Sequence, residues 1–403
     1  MKILHVVQAV DLKFGGPQEA LRGLTLAQSK IAMEVDILST DIDARGGALD
    51  IQAGNFNQSA GITMKLFKPK YRSVLYSDEI RKYLIKEISN YEIVHVHGLY
   101  RFPPTYAAWL ARKRGVPYII RPHGSLDPFM YRQSSRSLLL KRLWEHWFDL
   151  PNLNGASAIH YTSEDERERA SFLKLRAPSF VVPNGLDWAR YASLPARGAF
   201  RAQLGIGNAP LVLFLSRLNF KKGLDLLVPA FAKVRARYPD AVLAIVGPDN
   251  EGYGAKVRGW VAEHGLQACV RFVDHLQGEA VLQAYVDADV FALPSYTENF
   301  GMVVAESLAC ATPVVISDQV NIHREVSEAG AGLVTRCDAG EVAEALCTLL
   351  ADAPRRAAMG AAGRELVQRI WIWDVVARQL TTEYERVIER HHKSARSDRG
   401  RRQ

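Results

Sequence analysis

Residues 290–318 read VFALPSYTENFGMVVAESLACATPVVISD. An apolar run ends at Pro294, a polar loop follows, and an apolar segment with helical spacing opens near Gly301. A second apolar run, TPVVISD, closes the unit. Apolar runs of this length, bounded by turn residues, are strands buried on both faces, as in parallel sheets. Strand, loop, helix and strand together make a βαβ unit, and the unit sets the fold class.

The same plan extends in both directions. Upstream of Asp187, KILHVVQAV, VDILST, EIVHVHGL, PYIIRPHG, AIHYTS and SFVVPNG read as buried strands, with helical segments such as PQEALRGLTLAQSK between them. Beyond it, PLVLFLSRL, AVLAIVGP, VRFVDHL, VFALPS, TPVVISD and GLVTR repeat the pattern. The expected architecture is α/β, with two doubly wound, Rossmann-like parallel-sheet domains facing across a cleft. The boundaries predicted are 1–187 and 188–365, a closing helix over 366–388, and a disordered basic tail over 389–403.

The chain has 403 residues, 48% hydrophobic and 23% charged, which excludes disorder for its body. No apolar run approaches the roughly 18–20 residues of a spanning helix. The N-terminus lacks the small-residue cleavage site of a signal peptide. Four scattered cysteines form no C-x-x-C pair and read as reduced thiols, so a cytoplasmic location is expected. The formal charge of +8 is uneven: +6 through Asp187 and +5 from Arg386 onward. That is not the continuous basic face of a nucleic-acid binder, and no nucleic-acid partner is expected.

In open α/β sheets ligands sit beyond the carboxyl ends of the strands, so four strand-end loops carry the search. The first holds Gly15 and Gly16, where backbone can approach a phosphate at a helix start; a plain tight turn reads equally well. The second runs from Ser216 to Gly223, where Arg217 and Lys222 can converge on one anion. The third spans Pro294 to Glu306. Here Ser295, Asn299, Phe300, Gly301 and Met302 surround a helix start, flanked by Glu298 and Glu306, whose carboxylates can accept from sugar hydroxyls. The fourth holds His97 and His123 at the ends of consecutive strands, read first as packing or turn histidines. Asp287 and Asp289 resemble a metal-binding D-x-D but read as structural. His95 and His97 share a strand face, with no third ligand at metal-like spacing.

At these residues the sequence resembles the retaining glycosyltransferases of family four, which have the GT-B fold. Glu298 to Glu306 matches that family's E-x7-E motif, Arg217 to Gly223 its R-x4-K-G element, and Asn184 to Asp187 its N-G-x-D element. A departure falls at Ala311, where the family often has glycine.

The resemblance implies a nucleotide-diphosphate sugar as donor and a saccharide or lipid-linked acceptor, with an α-linkage formed in surface polysaccharide or lipopolysaccharide synthesis. It implies that Arg217 and Lys222 bind the diphosphate, that Glu306 accepts from the ribose, and that Glu298 accepts from the sugar. Ser295, Asn299, Phe300, Gly301 and Met302 would complete the donor site, with amides around the last four holding sugar and phosphate; Gly16 would approach the diphosphate and His123 would donate to a sugar hydroxyl. No metal or other cofactor is expected. The segment 131–148, YRQSSRSLLLKRLWEHWF, joins basic residues to leucines and tryptophans, as at an anionic membrane surface or in an ordinary amphipathic helix. A 2-epimerase on the same fold, a non-catalytic module for anionic surfaces and an inactive scaffold stand as alternatives.

Overall fold

The computed structural model describes residues 1–49, 61–132 and 136–400. The chain forms two compact units: Met1–Gly185 together with the chain from Trp373, and Leu186–Ile372.

In the first unit the described strands are β1 (Lys2–Ala9), β2 (Glu34–Thr40), β3 (Ile62–Phe67), β4 (Ile93–His97), β5 (Tyr118–Arg121), β6 (Ala158–Tyr161) and β7 (Ser179–Val181). They form one parallel sheet in the order β3-β2-β1-β4-β5-β6-β7. The order reverses between β1 and β4, where the register sets His5 beside His95 and Val7 beside His97. Strand β3 escapes the sequence reading. Its stretch, ITMKLF, carries a lysine, and only one neighbour covers it, so it is half-exposed and lacks the continuous apolar signature.

In the second unit the described strands are β8 (Leu211–Leu215), β9 (Val242–Val246), β10 (Val270–Val273), β11 (Val290–Leu293), β12 (Val314–Ser317) and β13 (Gly332–Thr335). The order β10-β9-β8-β11-β12-β13 reverses between β8 and β11. All six coincide with runs read as strands: β9, β11 and β12 are buried throughout and β8 nearly so, while β10 and β13 are partly exposed but still mainly apolar.

The unit boundary at Gly185 lies two residues before the expected one. Residues 353–370 form a separate helix, and the closing helix runs from Trp373 to Gly400, through the segment expected to be a disordered tail. Its apolar face explains its place in the first unit: Trp373, Val376, Leu380, Tyr384 and Val387 are buried with Leu21 and Leu24 of the helix Gly16–Lys30. The packing is close enough that a Cβ added at Gly23 would fall 1.9 Å from the Trp373 indole nitrogen.

Two sequence features find a structural explanation. Ala311 has φ +58 just past the helix Met302–Ala309, a left-handed position where glycine carries no Cβ penalty. Asp287 accepts from the amides of Gly198, Phe200 and Arg201 at 2.5, 2.7 and 3.0 Å, while Asp289 pairs with Arg197 and Arg201 at 2.6 and 2.7 Å. That pair of carboxylates holds a helix start and a strand, as the structural reading has it.

Candidate functional site

The point where a sheet's strand order reverses leaves a crevice between the two diverging loops. In the second unit those loops follow β8 and β11, and they are Ser216–Gly223 and Pro294–Gly301. Backbone bonds stitch them together: the Tyr296 amide donates to the Lys221 carbonyl at 2.8 Å. Gly223 has φ +70, and a Cβ there would lie 1.9 Å from the Pro294 carbonyl oxygen, so only glycine permits this approach. A third segment joins them, with the Glu298 amide donating to Gln319 at 3.1 Å and the Asn321 amide to Glu298 at 3.0 Å.

The site's charged side chains therefore meet. Lys222 donates from Nζ to Glu298, with both side chains largely sheltered. Arg217 stands exposed at the loop's start. Gly301, at φ +75, begins the helix Met302–Ala309, whose first amides have no carbonyl within the helix to bond. Along that helix Val304, Ala305 and Leu308 enter the core, leaving Met302, Val303 and Glu306 on the less buried face. The Tyr285 hydroxyl donates to Glu306 at 3.0 Å and orients its carboxylate. Ser295 and Phe300, both expected among the donor contacts, have buried side chains: Ser295 is fully enclosed, and Phe300 packs edge-on against Trp371. They shape the loop backbone and present no side chain to a ligand.

In the first unit the loops at the reversal follow β1 and β4. A pocket of about 730 Å³ opens there, lined by Phe14, Pro17, Gln18, His97, Gly98, Tyr100 and His123, among others. Gly16 is exposed between Phe14 and Pro17, with nothing within 4 Å of where a Cβ would stand. Gln18 is buried, and its Oε1 has no hydrogen-bond partner among the described residues. His123 sits at φ +51, and Glu166 fixes the turn by accepting from the Gly124 amide at 2.6 Å. Asn184, picked out by the N-G-x-D reading, accepts from the fully buried Arg121 at 2.6 Å.

Behind His123 lies a polar interior that the sequence reading missed. His97 is 3.1 Å from His123 and 2.9 Å from His5, and His5 is 2.9 Å from Gln28. Gln28 donates to the Tyr384 hydroxyl at 3.2 Å, Tyr384 is 2.7 Å from His95, and His95 is 3.3 Å from His160. Burial, reinforced by the charge of Arg121, keeps the imidazoles of His5, His95, His97, His123 and His160 below their ordinary pKa, with His5 lowered to about 4. Arg121 itself is lowered to about 10 by burial.

The third histidine beside His95 and His97 is thus His5, delivered by strand register and invisible to spacing. These three come near enough to hold an ion, but all six of their ring nitrogens already have a partner within the chain. The only advance signal for the cluster was histidine inside otherwise apolar strands.

Two family models match the chain: Glycosyltransferase Family 4 over residues 14–190, and Glycosyl transferases group 1 over residues 196–366. A GDP-mannose-dependent alpha-(1-6)-phosphatidylinositol monomannoside mannosyltransferase of Mycolicibacterium smegmatis is 34% identical over 232 residues, covering 55% of this chain and 60% of that protein. The chain therefore spans about three-fifths of that relative's length. Among solved structures, sucrose-phosphate synthase of Thermosynechococcus elongatus superposes with a TM-score of 0.75 at 23% identity, covering 96% of this chain and 99% of the other. HepE of Anabaena, in complex with UDP and glucose, superposes with a TM-score of 0.72 at 20% identity, with the same coverage. At these identities the two structures speak for the fold.

Proposed function

The chain belongs to glycosyltransferase family 4 and has the GT-B fold of two parallel-sheet α/β units, and from that we propose that it transfers a hexosyl group from a nucleotide-diphosphate sugar to a saccharide or lipid-linked acceptor, with retention and without a metal ion. The observation that carries this is the meeting of Lys222, Glu298 and the Gly301 helix start at the β8–β11 reversal, with Arg217 on the same loop as Lys222.

Arg217 and Lys222 bind the diphosphate and stabilise charge that develops as it leaves. Amides at the start of the helix Met302–Ala309 add donors for phosphate or sugar oxygens. Glu306, oriented by Tyr285, accepts from ribose hydroxyls, and Glu298 accepts from the transferred sugar. Lys222 and Glu298 neutralise each other, and the donor takes over both partners. The departing phosphate takes the acceptor's proton on the same face, which preserves anomeric configuration and forms an α-linkage.

The relative named as acting on a phosphatidylinositol monomannoside supports a lipid-linked acceptor, and its GDP-mannose dependence puts that donor first for testing. No helix among the described residues is long and apolar enough to cross a membrane. A surface is instead available on residues 139–148. Leu139, Leu140 and Trp147 are 64, 71 and 68% exposed, with Leu143 and Phe148 beside them. Exposed apolar side chains interleaved with Lys141 and Arg142 suit an anionic lipid surface. The proposed setting is surface polysaccharide or lipopolysaccharide assembly on the inner face of the cell membrane.

The test pairs thermal shift with product analysis across GDP-mannose, UDP-glucose and their nucleoside diphosphates. A selective rise in melting temperature with one base, and an α-linked product by NMR, are expected. Stabilisation by none of them, with no product on lipid or saccharide acceptors, overturns the proposal.

A further inference from the structure

The hydrogen-bond chain behind His123 has one fixed end. His160 Nε2 lies 2.8 Å from the Val182 carbonyl, and a carbonyl can only accept. His160 therefore carries its proton on Nε2, and its Nδ1 must accept from His95 Nε2. His95 Nδ1 is left as an acceptor, so the single proton of the Tyr384 hydroxyl goes to it. With that proton committed, the Tyr384 oxygen faces Gln28 as an acceptor, and the Gln28 group opposite it must be the amide nitrogen.

The hydrogen-bond chain by itself thus sets the Gln28 orientation. Its Oε1 faces His5, so His5 is protonated on Nε2 and accepts at Nδ1. His97 then donates from Nε2 to His5, and His123 donates from Nε2 to His97 Nδ1. Every step needs a neutral ring. Burial and the guanidinium of Arg121 supply that condition by holding all five histidines below their ordinary pKa.

We infer that His160, His95, Tyr384, Gln28, His5 and His97 form a one-directional relay that fixes the proton of His123 on Nε2 and presents its bare Nδ1 to the pocket as a hydrogen-bond acceptor for a substrate hydroxyl. His123 lines that pocket, and its Nδ1 has no partner among the described residues and is not sealed from solvent. The sense of the contact is opposite to the donation that the family resemblance implies. Nor is His123 a base: protonating Nδ1 would create a second cation in a desolvated interior that already holds Arg121. The six relay members are positioning residues: His97 also lines the pocket, but both of its ring nitrogens are engaged by His5 and His123. The hydroxyl-acceptor role rests on the glycosyl-transfer reading, whereas the tautomer does not.

The tautomer can be read directly. Full-length protein labelled with 15N-histidine, assigned with a His123→Asn variant, distinguishes bare from protonated ring nitrogens by multiple-bond 15N–1H correlation. His123 is expected with Nε2 protonated and Nδ1 bare from pH 6 to 8. A protonated Nδ1, or a mixed tautomer in the wild type, overturns the relay.

Tyr384→Phe removes the hydroxyl that passes direction from one half to the other, and His123 is expected to become a tautomer mixture while kcat falls several-fold. An unchanged His123 signal in that folded variant overturns the relay as the cause. Neutron diffraction from the wild type reads the same protons if the variant does not fold. GDP-mannose and UDP-glucose, each at saturation, test the hydroxyl contact. A shifted Nδ1 resonance with the one that stabilises the protein supports it, and no shift overturns it. Product formation scores the transferase reading separately.

Discussion

Lys222 Nζ donates to a carboxylate oxygen of Glu298, joining two strand-end loops that lie 76 residues apart in sequence. Each loop follows a strand at the reversal of the sheet, so a short local motif on either side becomes one charged site. The pair is largely sheltered but not enclosed, which makes it a poor source of stability and a ready partner for a ligand that is itself charged and hydroxyl-rich.

Replacing Lys222 or Arg217 with alanine, or Glu298 with glutamine, is therefore expected to reduce transfer without unfolding the chain. Each removes a charge-assisted contact of about 1.5–3 kcal/mol, or roughly ten- to a hundredfold in kcat/KM. Steady-state kinetics beside a melting curve checks this. A melting loss in proportion to the activity loss would make these residues structural.

Gly223→Ala tests the backbone that brings the loops together. The left-handed position costs an L-residue about 1–2 kcal/mol, and the new Cβ must also displace the Pro294 carbonyl. A melting temperature several degrees lower is expected, together with loss of stabilisation by the sugar nucleotide.

Asp287→Ala tests the structural reading of the D-x-D. It leaves the amides of Gly198, Phe200 and Arg201 without their shared acceptor, and unpaired buried groups cost about 1–3 kcal/mol each. Chemical denaturation should show the loss, while turnover per folded molecule stays near wild type.

Acid should weaken the first unit well before ordinary carboxylates titrate. Its five buried histidines have folded pKa values below 6.5, so their stabilisation is complete above that pH. As pH falls, the unfolded chain takes up protons that the folded chain refuses. For His5, lowered to about 4, the loss approaches about 1.4 kcal/mol per pH unit between those limits. Burial raises Asp149 to about 6 and Glu166 in the same direction, so these two contribute oppositely, favouring the fold at low pH. The imidazoles outnumber them. Calorimetry should show a melting temperature that drops from pH 7 to 5, and a flat profile would contradict the neutral relay.

Trp147→Ser combined with Leu139→Ser tests the lipid-facing surface. Both side chains are exposed, so melting in solution should stay unchanged. Flotation with anionic vesicles should fall, as should turnover on a lipid acceptor, while a soluble saccharide acceptor is used as before.

The second unit was the more legible half. Its strands β8 and β11 are short, apolar and followed at once by the candidate loops, so Arg217, Lys222, Glu298 and Glu306 can each be picked out from neighbours in sequence. The misreadings arise where that locality fails. β3 is a half-exposed edge and carries no continuous apolar run. Ser295 belongs to a polar loop in sequence, yet the loop's turn drives its side chain inward. The closing helix looked like a terminal appendage, and only its apolar face against Leu21 and Leu24 shows which unit it completes.

What the sequence determined by itself was the alternation of strands and helices and the chemistry of each strand-end loop, since periodicity and loop composition are local properties. What the tertiary structure decided was which distant polar groups share the interior. His5, Gln28, His95, His97, His123, His160 and Tyr384 come from four strands or strand-end turns, one core helix and the closing helix, with nothing in their spacing to connect them. Parallel register and helix docking place their nitrogens and oxygens within hydrogen-bond reach. In a buried setting each proton must then find an acceptor, and that requirement, not the residue types alone, sets the direction in which His123 faces its ligand.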